Sequence, residues 1–79
     1  MTTREWMLRI ASAVENWSTM TNDSVEVAMA IETPRHVVQH SLTTIPAEQR
    51  EAVRAALPPV TTNDFALEAQ RIRAAAEKL

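Results

Sequence analysis

The stretch that decides the fold is SVEVAMAIETPRHVVQHSL, residues 24–42. It reads as two short helices joined by a tight turn. Val25, Ala28 and Ile31 recur at i, i+3 and i+6, which places them on one helical face. Asp23 or Ser24 caps this first helix, and Glu26, three residues after Asp23, makes a pattern like a capping box. Glu32-Thr33-Pro34 then interrupts it. Thr33 is suited to cap a second helix, because its hydroxyl can accept a hydrogen bond from an early amide. Pro34 falls at the first helical position, where its fixed φ suits the helix and its missing N–H costs nothing. Val37, Val38 and Leu42 supply the buried side of that second helix, while Arg35 and Gln39 stack on a different side.

Composition extends the helical reading to the whole chain. Its 79 residues set one domain, and there is no glycine at all. Hairpins that need positive φ and glycine-rich phosphate loops are disfavoured accordingly. There are no cysteines, so disulfides, zinc thiolate sites and thiol catalysis are excluded. A chain this short buries roughly 60% of the surface that its unfolded form exposes, so its stability is slim and dimerisation would help. No apolar run exceeds residues 27–31, which is too short for a membrane span. The first residues lack the apolar core of a signal peptide, and the expected location is the cytoplasm.

On either side of the central pair, three more helices are expected. The first covers residues 3–20, opened by a capping box of Thr2 and Glu5. Trp6, Ile10, Ala13, Val14 and Trp17 form its stripe. The tryptophans read as core anchors, or one of them as an exposed partner anchor. Met7 and Leu8 sit off the main stripe, where they either widen the core face or mark a contact surface. After the central pair, Thr43-Thr44-Ile45-Pro46 breaks the chain at Ile45, because a residue before proline avoids the α region. Residues 47–57 form the next helix, with Ala52, Val53, Ala56 and Leu57 inward and Glu48, Gln49, Arg50, Glu51 and Arg54 in water. Leu57-Pro58-Pro59-Val60 makes a stiff extended joint. Thr62-Asn63-Asp64 caps a last helix over residues 64–78. There Phe65, Ala69, Ile72, Ala76 and Leu79 follow spacings of 4, 3, 4 and 3, a short a/d stripe. The stripe has two readings, packing back on its own domain or acting as the interface of a dimerisation arm. Residues 1–57 form the helical domain and residues 58–79 the C-terminal helix.

The layout of residues 24–42 resembles the helix-turn-helix family of DNA-binding transcriptional regulators. Ala28 matches the small residue where the two helices touch, and Ile31 the apolar residue before the turn. Thr33-Pro34-Arg35 opens the second, recognition helix, Val38 is its inward middle residue and Leu42 closes it. One position departs from the pattern, since Glu32 stands where the turn usually has glycine, and a non-glycine residue at positive φ costs roughly 1–2 kcal/mol. The resemblance implies an all-α domain of four to five helices with a central helix-turn-helix and no wing. It further implies a small, repressor-like regulator of the kind found in bacteria, phages and plasmids, which binds double-stranded DNA as a homodimer. Arg35, His36, Gln39 and His40 would then face the major groove, where Arg pairs with guanine and Gln with adenine. Thr33, Thr43 and Thr44 would donate hydroxyls to phosphate.

Charge is divided on this point. Net charge is −2, without the basic excess typical of nucleic-acid binders. From residue 33 to residue 47, however, there is no Asp or Glu, while Arg35, His36 and His40 all fall there. The same surface also reads as the polar side of an ordinary bundle helix. An acidic total would suit a helical protein-interaction module or inhibitor with a basic partner. His36 and His40 have the i, i+4 spacing of zinc-binding histidines in a zincin helix, yet Val37 occupies the position of its catalytic Glu. Ser12, Ser18, Ser24 and Ser41 are scattered outside any nucleophile-elbow context. No enzyme activity, metal or cofactor is expected. For the turn, Glu32→Gly should raise stability by up to roughly 1 kcal/mol if Glu32 holds positive φ. Thermal melting checks this, and a loss would place Glu32 in an ordinary conformation.

Overall fold

A computed structural model gives the fold and describes residues 1–20 and 33–79. Among these residues there are four α-helices and no strand. They are α1, Thr3–Met20; α2, Pro34–Thr43; α3, Ala47–Ala56; and α4, Phe65–Glu77. The expected helix over residues 24–31, its Asp23 or Ser24 cap and the Glu32 turn lie outside the described residues.

Local chemistry explains the helix ends. Thr2 N–H donates to Glu5 Oε1 at 2.7 Å and Glu5 N–H donates back to Thr2 Oγ1 at 3.1 Å, which is the reciprocal capping box at the start of α1. Thr33 sits in an extended conformation and accepts from His36 N–H at 3.2 Å, with Pro34 at the first helical position of α2. Asp64 Oδ1 accepts from Leu67 N–H at 3.0 Å and starts α4.

The core is built along α1, which packs against α2, α3 and α4. Met7, Ile10, Ala11 and Val14 recur at i, i+3, i+4 and i+7 and are buried. They meet Ala69, Ile72 and Ala76 of α4, while Val37, Val38 and Leu42 of α2, Ile45 and Val53 complete the cluster. Each fully buried aliphatic or Met side chain contributes about 1.5–3 kcal/mol.

This centre keeps Ile10 and Val14 of the stripe expected from the sequence but is rotated toward Met7 and Ala11. Met7 is completely buried, whereas Trp6 and Trp17 are half-buried at the margin. Ala11, Ala69 and Ala76 are each 0% exposed and let α1 and α4 approach closely. A narrow seam accepts an unbranched Met and excludes an indole. At the margin, the Trp6 indole N–H finds Gln49 Oε1 on α3, the polar partner that a half-buried tryptophan needs. Ala52 is exposed, and Val53 alone is the fully buried residue of α3.

The short stripe on α4 is spent within the monomer. Ala69, Ile72 and Ala76 are buried in the cluster with α1, Phe65 is half-buried and Leu79 is 62% exposed. Ala69, Ile72 and Ala76 therefore follow the reading in which the stripe packs back on its own domain, and they present no surface of their own. The same contact joins residues 58–79 to the helices before them. Arg73 and Glu15 reinforce it with paired contacts of 2.9 and 3.3 Å.

Glu68 lies on the same helix and is only 1% exposed. Its Oε2 accepts from Thr62 Oγ1 at 2.7 Å and from Thr62 N–H at 3.1 Å, and Arg71 Nη1 lies 3.2 Å from both carboxylate oxygens. Burial pushes this carboxyl up, but the Thr62 hydroxyl, the Arg71 charge and the Thr62 amide together outweigh it, and it titrates below its ordinary value. Its stabilisation is complete above the unfolded value near 4.5 and is lost as pH falls through the lower folded value. Glu68→Gln keeps the shape and removes the charge. It should cost about 1–3 kcal/mol at neutral pH and converge with the parent in strong acid. Urea unfolding at both ends of that range checks this; an equal loss at both would show that the charge contributes nothing.

Candidate functional site

Successive residues of α2 are about 100° apart around the helix axis, which sorts its side chains into two arcs. Pro34, Val37, Val38 and Leu42 are buried, with Ser41 half-buried among them. Arg35, His36, Gln39, His40 and Thr43 form the outer arc and are exposed. Of the residues expected to act together, these five and the flanking Thr33 and Thr44 are all on α2 or at its ends.

The outer arc has two edges. On one, Arg35 and Gln39 border a recess of about 380 Å³ shared with Arg54 and the extended joint at Pro58 and Pro59. Arg35 Nη2 donates to the Val60 carbonyl there at 3.3 Å. On the other, His36 and His40 border a groove of about 620 Å³ against Asn16 and Trp17 of α1. Among the described residues, no three of His, Asp or Glu are grouped to hold a metal ion.

The threonines at the C-terminal end are already engaged. Thr43 Oγ1 donates to His40 O at 2.6 Å and Thr44 Oγ1 donates to Ser41 O at 2.7 Å. Each hydroxyl has a single hydrogen, so neither is left to give to a phosphate. The negative end of the helix dipole also disfavours an anion there. In the free protein both hydroxyls thus cap carbonyls of α2. Thr33 belongs to the opposite, positive end.

Sequence reasoning placed Arg50 in water, and the structure places it at the end of α2. Arg50 Nε donates to Leu42 O at 3.0 Å, and Nη2 donates to Ile45 O at 2.9 Å and reaches Thr43 O at 3.5 Å. Leu42 O also accepts from Ile45 N–H at 3.2 Å, and the guanidinium adds further donors at a helix end where carbonyls outnumber intrahelical ones. A glycine in the left-handed region commonly resolves that need, but this chain has none, and no described residue has positive φ. The forked guanidinium of the next helix does it instead. Arg54 is exposed as expected, pairs with Glu51 at 2.7 Å on its own helix, and adds a second cation beside the Arg35 recess. No spacing signals the Arg50 role, because its acceptors lie outside its own helix.

No protein-family model, curated protein or solved structure matches the chain. No helix among the described residues is long and apolar enough to cross a membrane.

The Arg50 contact makes a direct prediction. Arg50→Ala should lower stability by about 1–3 kcal/mol, since it strips charge-assisted hydrogen bonds from partly buried carbonyls. Arg50→Lys should recover only part, because an ammonium cannot reproduce the fork. Urea unfolding measures both. Full recovery by Lys would mean that charge alone is required.

Proposed function

We propose that the chain is a small helix-turn-helix regulator that binds double-stranded DNA, with α2 as its recognition helix. The observation that carries this reading is the division of α2. A helix fixed at both ends by Thr33 and Arg50 turns Arg35, His36, Gln39 and His40 outward on a segment without acidic residues. Residues near the start of such a helix reach base edges in the major groove. Arg35 and Gln39 are the readers, with guanine and adenine as their respective partners. His36 and His40 extend the same surface. The Thr33 hydroxyl, whose oxygen accepts from His36 N–H, keeps its own hydrogen for a phosphate at the end of α2 where the helix dipole favours an anion. A homodimer would place two such helices one turn of the duplex apart. With Ala69, Ile72 and Ala76 used internally, its contact would draw on exposed apolar residues off the buried seam, such as Leu8 and Leu67.

One observation favours a second reading. The net charge of −2 and those same exposed leucines suit a helical module that binds another protein.

Selection of bound sequences from random duplex tests the first reading, with salt dependence as the companion measurement. Arg35→Ala and Gln39→Ala should each weaken binding to the selected site by about 5- to 150-fold and relax preference at one base pair, with melting nearly unchanged. Val38→Ala should lower stability first, because it opens a cavity in the core. Unchanged affinity in the folded Arg35→Ala and Gln39→Ala proteins would remove α2 as the reader and leave the protein-binding module in the lead.

A further inference from the structure

Arg35 is oriented by a segment that α2 itself does not contain. Its guanidinium meets the Val60 carbonyl, and Val60 belongs to the joint between α3 and α4. That joint is held hard on both sides. Pro58 and Pro59 restrict the backbone before it. After it, Thr62 gives both its amide and its hydroxyl to Glu68, and Thr61 Oγ1 accepts from Arg71 Nη1 at 2.6 Å. Arg71 also neutralises Glu68, so one turn of α4 grips two successive threonines. An apolar residue would fill the site of Glu68 without the desolvation cost of a carboxylate. What the carboxylate adds is directed hydrogen bonding to the joint.

We propose that Glu68 is a positioning residue for Arg35: through Thr62 it fixes the Val60 carbonyl, which orients the Arg35 guanidinium on the outer arc of α2. Its effect on DNA rests on the function proposed above; the positioning is a property of the free protein. Val60 takes one of the five N–H donors of the guanidinium, and the others remain for a ligand. A long side chain ordered in advance loses less freedom on binding, so the joint raises affinity without touching the ligand.

The test uses the full chain and the variants Glu68→Gln and Thr62→Val, the second keeping shape and the backbone amide. In the free protein, NMR relaxation of the Arg35 side-chain Nε–H should report faster motion in both variants, while Arg54 is unchanged. An unaltered Arg35 signal in folded variants overturns the proposal. In duplex binding, Thr62→Val should weaken the parent by about threefold to tenfold and have no effect in an Arg35→Ala background. Equal losses in both backgrounds also overturn it. A parent that binds no duplex defeats the DNA reading instead, and the side-chain relaxation then decides the positioning role alone.

Discussion

The close contact of α1 with α4 is the constraint on which the other packing depends. Three alanines, Ala11, Ala69 and Ala76, sit in it with no exposed surface. Small side chains bring the two backbones together, and Met7, Val14 and Ile72 fill what remains. α2 and α3 then lean on the rest of α1 and on each other through Val37, Val38, Leu42, Ile45 and Val53. α1 is the shared support. In so short a chain, one long helix that serves three partners is an economical way to close a core.

The absence of glycine shapes the described joints, from the end of α2 onward. Thr44 and Lys78 end their helices in ordinary right-handed geometry, and Leu57 ends its helix in extended geometry. Carbonyl groups at these ends still need donors. At α2 they receive the Arg50 guanidinium, which ties α3 to the end of α2 in the same act. Between α3 and α4, two prolines and the pair of threonines bound by Glu68 and Arg71 do comparable work. The chain therefore obtains stiff joints from side-chain hydrogen bonds and ring constraints, where other chains use glycine turns.

These joints converge on the outer arc of α2. Thr33 starts the helix, Arg50 ends it, and the residue 58–62 joint reaches its leading cation through Val60. A surface that must meet a rigid partner benefits from such support, because groups already ordered lose little on binding. The buried carboxylate on α4 belongs to this picture even though it lies on a helix whose main support is α1 rather than α2.

What the sequence by itself determined was local. Thr2 with Glu5, Thr33 with Pro34, and Asp64 three residues before Leu67 were legible as helix starts, because each cap bonds within its own turn. The exposure of Arg35, His36, Gln39 and His40 followed from helical periodicity for the same reason. Only the tertiary structure decided that Met7 and not the tryptophans occupies the centre of α1, since that depends on the alanines facing it. Only the tertiary structure spent the Ala69, Ile72 and Ala76 stripe inside the monomer, because a heptad-like spacing is the same whether its partner is α1 or a second chain. Arg50 looked like an ordinary solvated residue, and Glu68 fell on the mixed apolar face of the last helix with no partner assigned, until the helices were docked. Their roles are hydrogen bonds to groups set by the folded geometry of the joints, and residue type and spacing hold no record of such a meeting.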